Sequence, residues 1–223
     1  MHTPKAKLAI FDLDDTLLAG DSDHAWGQFL IAEGEVEADI YQARNDAFFS
    51  DYKAGRLDVD AYVAFSCEPL TQIPGDRLAE LQTEFMSRVI EPMVLPKAIE
   101  LLDRHRFAGD QLMINTATID FITAPIAKRF GVENLIAPQV EMLNGRYTGR
   151  VVGTASYQHG KVKRLNDWLK EHPHDLATSV FYSDSHNDLP LLSEVGYPVC
   201  VDPDERLRAE ATKRNWPIIS LRG

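Results

Sequence analysis

Short apolar runs rich in β-branched residues recur along the chain, at Leu8 to Leu13, Leu112 to Ile114, Val180 to Tyr182 and Pro198 to Val201. Each ends in polar or small residues. Unbroken apolarity marks strands covered on both faces, as in a buried parallel sheet. Between the runs lie segments of helical periodicity. Ala124 to Phe130 closes at Gly131, Lys161 to Lys170 stops before Pro173, and Pro203 to Arg214 has Asp202 placed as its cap and Pro203 in its first turn. Strands alternating with helices predict an α/β fold with a Rossmann-like parallel sheet core.

One stretch departs from the alternation. From Ala19 to about Leu95 the pattern is almost wholly helical, divided by Gly34, Gly55 and the Ile73-Pro74-Gly75 turn. Apolar residues at helical spacing, in the runs Trp26, Phe29, Leu30 and Leu78, Leu81, Phe85, let these helices bury faces against one another. The expected organisation is a core of residues 1–18 and 96–223 with a helical cap domain, 19–95, inserted over the sheet. A lesser insertion surrounds Asn144-Gly145, a dipeptide that favours a tight hairpin between Val140 to Leu143 and Arg146 to Val151.

Composition narrows the partners. The chain has 223 residues, 44% of them hydrophobic, enough for one sizeable core plus an insertion. Its net charge of -11, with acids spread along the length, repels phosphate backbones and anionic lipid heads, so neither nucleic acid nor a membrane surface is an expected partner. Met1 to Lys7 is short and polar, with no apolar stretch of signal-peptide length, and the expected location is the cytoplasm. Cys67 and Cys200 lack the paired spacing of a zinc site and are read as two small buried hydrophobes.

Chemistry concentrates where strands end. The first run delivers Asp12, Asp14, Asp15 and Thr16 to the carboxyl edge of the sheet, where open α/β sheets bind ligands. If the strand stays extended, Asp12 and Asp14 point the same way and repel unless a cation or a shared proton intervenes. A second acidic cluster, Asp184 to Asp188, follows the Val180 strand and would converge on the same site. Hard oxygen donors of this kind suit Mg²⁺. His186 among them is expected to lie behind the donors rather than to call for a transition metal. Thr116 and Thr118 stand where a strand turns into a helix, with hydroxyls and free amides for phosphate oxygens, and Lys161 can supply a positive charge.

With these residues in this order, the chain resembles the haloacid dehalogenase superfamily of phosphatases, and within it the phosphoserine phosphatase-like subfamily. The family's DxDxT motif is matched by Asp12, Asp14 and Thr16, its strand-end Ser or Thr by Thr116, its Lys by Lys161, and its paired acids by Asp184 and Asp188. The resemblance implies that Asp12 attacks phosphorus and becomes an aspartyl phosphate, and that Asp14 acts first as acid and then as base. It implies Mg²⁺ held by Asp12, the Asp14 carbonyl and Asp184, with Thr116 and Lys161 gripping phosphate oxygens. Asp188 would orient metal-bound water or Lys161, and Asn187 would reach the phosphate side of the substrate. Asp21 stands where the phosphoserine phosphatases place an acid for the substrate amine, and Arg56 is a candidate for a carboxylate.

The expected partner is a small phosphorylated metabolite. The whole-chain pattern is similar to histidinol-phosphate phosphatase-like bacterial members, and an imidazole would suit an aromatic cap surface of Trp26, Phe48, Phe49 or Tyr52, so histidinol phosphate is ranked above phosphoserine. Two alternatives stay open at this point: a phosphotransferase on the same scaffold, and a receiver-like phospho-accepting signalling module.

Overall fold

The computed structural model describes residues 7–222. The polar stretch before Lys7, read above as carrying no leader, lies outside the described residues. A six-stranded sheet is built from β1 (Leu8–Phe11), β2 (Gln111–Asn115), β3 (Asn134–Ile136), β6 (Val180–Ser183), β7 (Tyr197–Val201) and β8 (Ile218–Ile219). Its order is β3-β2-β1-β6-β7-β8, and every pairing is parallel. The chain leaves β1 toward β2 on one side and later fills β6 on the other. The crevice beyond the carboxyl ends of β1 and β6 is therefore the switch point at which such sheets bind ligands.

Unbroken apolarity in β1 has a direct structural cause. Leu8 and Ile10 enter one buried cluster with Phe181 and Leu165, while Ala9 and Phe11 enter a second one with the helical segment. Alternate side chains point to opposite faces, and both faces are covered. The strand is shorter than the apolar run that announced it. Asp15 takes a positive φ of 55°, and the amide of Leu17 folds back to the carbonyl of Leu13 at 2.9 Å. Extension thus ends before Asp14, and the expectation that Asp12 and Asp14 alternate along one strand does not hold.

Five helices separate β1 from the next core helix: α1 (Ser22–Ala32), α2 (Ala38–Ala54), α3 (Val59–Gln72), α4 (Gly75–Phe85) and, after a π-helical turn, the short α5 (Glu91–Met93). Asp21 and Asp58 cap α1 and α3 by accepting from the amides of His24 and Ala61. The two linkers to the core pair with each other, Leu18 against Val94, with Ala19 N donating to Met93 O at 2.7 Å.

The remaining helices are α6 (Pro96–Ala108), α7 (Asp120–Arg129), α8 (His159–Leu169), α9 (Leu189–Leu192) and α10 (Glu205–Arg214). α10 is capped by Asp204, whose carboxylate accepts from Leu207 N, and not by Asp202, which turns to φ 42° ahead of it. α8 starts earlier than the periodicity implied, because the chain reverses at Gln158 (φ 47°) and Gly160 passes close beneath the preceding loop. A Cβ on Gly160 would lie 2.1 Å from the carbonyl oxygen of Ala155. The hairpin β4 (Gln139–Leu143) and β5 (Arg146–Val152) turns at Asn144 and Gly145, both at positive φ, and packs on α3. The short strands β3 and β8 had no signal of their own in the sequence. Cys67 and Cys200 are free and buried, and burial pushes their thiols up to about 12 and about 11. Among the described residues no helix is long and apolar enough to cross a membrane.

Candidate active site

The floor of the site is a buried charge triad. Asp12 leaves the end of β1, its amide continuing the ladder to the Tyr182 carbonyl of β6 at 2.9 Å. Lys161, in the first turn of α8, donates to Asp12 Oδ1 and to Asp188 Oδ2, each at 2.8 Å. All three residues are at most 2% exposed. Charges so deep persist only when paired and hydrogen-bonded. For Lys161, burial alone would lower the pKa, but the carboxylates of Asp12 and Asp188 outweigh it and hold the ammonium charged. Burial pushes the Asp12 carboxyl up to about 7, with Lys161 pulling down and Asp188 pushing up. Ser183 Oγ adds a hydrogen bond to Asp188 Oδ2 at 2.7 Å.

Thr16 ties the two acidic segments together. Its hydroxyl donates to Asp184 Oδ1 at 3.1 Å and accepts from the Asp184 amide at 3.0 Å. Asp14 stands to one side, half-buried, accepting from Ser22 N at 2.7 Å and from Thr118 Oγ1 at 2.9 Å. Burial, followed by the charge of Asp21, raises its carboxyl to about 7. Thr116 is buried, and its hydroxyl accepts from Thr118 N at 3.2 Å. The part taken by Thr118 in holding Asp14 was not foreseen. Its only sign in the sequence was a second hydroxyl two residues beyond Thr116.

Above this floor α1, α2 and α3 form a roof that carries Asp21, Asp23, His24, Asn45, Phe48, Phe49, Tyr52 and Tyr62. Asp12, Asp14, Thr116 and Thr118 line the same cavity from below. Asp23 is buried and hydrogen-bonded to Tyr62. Burial raises the Asp21 and Asp23 carboxyls to about 7, each helped by a neighbouring aspartate. Among the described residues no Lys or Arg lines this cavity. Arg56, the candidate for a substrate carboxylate, is instead exposed and paired with Asp51 at 2.8 Å. Trp26 lies in the aromatic cluster behind the roof, against Phe29 and Phe85, and does not line the cavity.

Asn187 is also absent from the lining. Its amide donates to Tyr52 O at 2.9 Å, while its Oδ1 accepts from Tyr157 and Gln158 at 3.1 Å each. His186 lies behind the acidic donors, Nδ1 bonded to Asp204 Oδ2 at 2.8 Å.

The donor set suits a hard cation. Asp12 Oδ2 is buried with no hydrogen-bond partner, and burial followed by the charge of Asp12 pushes the Asp184 carboxyl well up. A buried carboxyl pushed up by a neighbouring carboxylate invites a counter-ion. Among the described residues no three His, Cys, Asp or Glu side chains form a metal cage, so the protein would offer two carboxylates and leave the remaining positions to a backbone oxygen, water and a phosphate oxygen. This is the pattern of Mg²⁺ sites rather than of closed all-protein cages.

Three comparisons bear on this geometry. The family model for haloacid dehalogenase-like hydrolases matches residues 9–193. A histidinol-phosphatase of Neisseria meningitidis is 44% identical over 219 residues, covering 96% of this chain and 99% of that protein. A phosphoserine phosphatase of Mycobacterium tuberculosis is 32% identical, covering 96% of this chain and 70% of its own length. Among solved structures, a protein of unknown function from Bordetella pertussis Tohama I superposes with a TM-score of 0.90 at 40% identity, covering 97% of this chain and all of that one. A substrate-bound phosphoserine phosphatase shares the fold, with a TM-score of 0.73 at 16% identity over 97% of this chain and 94% of that one.

Proposed function

We propose, from the premise that the chain belongs to the haloacid dehalogenase-like hydrolases and is a phosphatase among them, that it is a Mg²⁺-dependent phosphomonoesterase working through an aspartyl phosphate on Asp12, with histidinol phosphate as its favoured substrate. The observation that carries the mechanism is the Lys161 ammonium shared between Asp12 and Asp188. It fixes the nucleophile before substrate arrives and leaves Asp12 Oδ2 without a partner.

In the first step an Asp12 carboxylate oxygen bonds to phosphorus while the ester P–O bond breaks. Asp14 gives its proton to the departing alkoxide; a carboxyl held near 7 is matched to that task at neutral pH. In the second step the Asp14 carboxylate takes a proton from water as the water oxygen bonds to phosphorus. The Asp12–phosphorus bond breaks, and inorganic phosphate leaves. Lys161, with Thr116 and the amides after β2, would hold the non-bridging oxygens. Asp12, Asp184 and the Asp14 carbonyl would hold Mg²⁺, which supplies charge neutralisation during phosphoryl transfer.

The choice of substrate rests on the roof. Two acids and several rings face the floor, and among the described residues no Lys or Arg lines the cavity, whose one imidazole, His24, is already bonded to Asp46 at 2.8 Å. A substrate carboxylate would meet Asp21 and Asp23 there without a Lys or Arg to receive it, whereas an ammonium or imidazolium would supply counter-charge to both acids. This favours histidinol phosphate over phosphoserine, in line with the 44% identical relative. The test is a panel of histidinol phosphate, phosphoserine and p-nitrophenyl phosphate, each with and without Mg²⁺. We expect turnover that requires Mg²⁺, kcat/KM about 10-fold or more higher for histidinol phosphate than for phosphoserine, and no phosphate release by Asp12→Asn. Near-normal activity of that variant ends the mechanism. Equal use of the two amino phosphates ends the substrate assignment alone.

A further inference from the structure

The cavity between floor and roof leaves about 20 Å³ of free space. That is room for roughly one water and for no phosphorylated metabolite. Substrate therefore enters only when the roof lifts, and α2 carries its rings Phe48, Phe49 and Tyr52.

Besides the packing of α3 on β5 and the bonds of Ser22 to Asp14 and Gln82 to Phe121 O, two seams of contrasting chemistry hold the helical segment to the core. One is apolar, Trp26 of α1 and Phe85 of α4 against Phe121 of α7, with 5.5 Å between the Trp26 and Phe121 rings. Parting it exposes large buried side chains at about 1.5–3 kcal/mol each. The other lies at the last turn of α2, where the bonds to the core are polar. Asn187 donates to Tyr52 O at 2.9 Å, Arg206 donates to Ala54 O at 2.8 Å, and Lys53 reaches Asp15 at 2.6 Å. Hydrogen bonds that open to water exchange at about 0.5–1.5 kcal/mol each, and of these donors Arg206 and Lys53 lie at the surface while Asn187 is buried. The polar seam is the one that yields, and the apolar seam with the paired linkers serves as pivot.

We propose that Arg206, outside the cavity, is a positioning residue that latches the C-terminal turn of α2 onto the core, so that substrate enters by release of that latch. The carbonyls ending a helix lack intrahelical donors and carry the negative end of its dipole, which a guanidinium matches. Arg206 is itself braced: His186 Nε2 lies 3.2 Å from the same nitrogen, and Asp204 holds the other side of the imidazole. Gly55 lets the helix end this close. It has φ 72°, and a Cβ there would fall 2.5 Å from His186 Nε2.

The inference does not depend on which substrate is used, and its first readout needs no activity. Amide hydrogen exchange is measured on the full-length protein and on Arg206→Ala, Arg206→Lys and Gly55→Ala, with thermal melts showing that each is folded. Arg206→Ala opens the seam from the core side and Gly55→Ala from the cap side. Both should speed exchange over residues 45–57 about 3-fold or more and leave 75–85 unchanged, while Arg206→Lys, which still donates to the carbonyl, stays within about 2-fold of the parent. KM for p-nitrophenyl phosphate should rise by a similar factor in the first two, with kcat changing less, since Arg206 touches no reacting group. Unchanged exchange over 45–57, acceleration spread evenly over 22–85, or faster exchange with an unmoved KM each overturns the proposal.

Discussion

The floor and the roof of the cavity both hold buried carboxylates, yet they solve the problem of charge in opposite ways. On the floor Asp12 and Asp188 share the ammonium of Lys161, so the constellation is complete before anything binds. On the roof, among the described residues, no Lys or Arg is bonded to Asp21 or Asp23, and Lys53, whose charge reaches Asp21, is paired with Asp15. A compensated cluster preorganises chemistry, whereas an uncompensated one costs stability until a ligand supplies the charge. Under the function proposed above, the floor is the part that acts on phosphate, common to any ester, and the roof the part that selects which ester is admitted.

Removing the compensation on the floor should have the largest effect. Lys161→Met strands two buried carboxylates and should lower folding stability by about 3–5 kcal/mol, measured by urea unfolding, and kcat by about 10³-fold. Stability within 1 kcal/mol of the parent would mean, by the same reasoning, that the triad is not the compensated cluster described.

On the roof the sign reverses, because there the charge itself is the burden. The folded pKa of Asp23, about 7, lies above its unfolded value of 3.8. Its contribution to stability is therefore whole below pH about 4 and is lost as pH rises through 7. Asp23→Asn abolishes that slope, so the variant should gain on the parent by on the order of 2 kcal/mol between pH 5 and pH 8, followed by thermal melts. The same variant should raise KM for histidinol phosphate about 10-fold and leave p-nitrophenyl phosphate unaffected, the loss of one charge-assisted contact. An identical pH slope in the two proteins would erase the difference between floor and roof.

A smaller change probes the boundary between them, where Asp14 is held by Thr118. That hydroxyl donates to the carboxylate and so stabilises its ionised form. Thr118→Ala should move the alkaline limb of the kcat/KM profile, set by loss of the Asp14 proton, to higher pH. It should also lower kcat by about 5- to 10-fold. A limb that stays in place would show that Asp14 is not the titrating acid.

Much of the site was legible before any coordinates because its chemistry depends on residue types at strand ends. Apolar runs located β1 and β6, and the residues leaving their carboxyl ends, Asp12, Thr16 and Asp184, are brought together across two adjacent parallel strands. Lys161 was legible only as a cation in the right order along the chain; that it bridges Asp12 and Asp188 follows from α8 returning across the sheet. Residues whose role depends on a partner distant in sequence were read less well. Asn187, expected to reach the phosphate side of the substrate, has its side chain bonded to Tyr52, Tyr157 and Gln158, and Arg56 is paired with Asp51.

By itself, then, the sequence determined the alternation of strands and helices, the helical insertion after β1 and the inventory of acids, hydroxyls and one lysine for phosphoryl chemistry. Local pattern sets these, since hydrophobic periodicity and turn residues act over a few positions. Only the tertiary structure decided which carboxylates would be bonded to a lysine, and which core residues the last turn of α2 would meet. Those outcomes depend on long-range packing that brings residues such as Lys161 and Asp12, or Arg206 and Ala54, to hydrogen-bond distance, and no local pattern encodes that proximity.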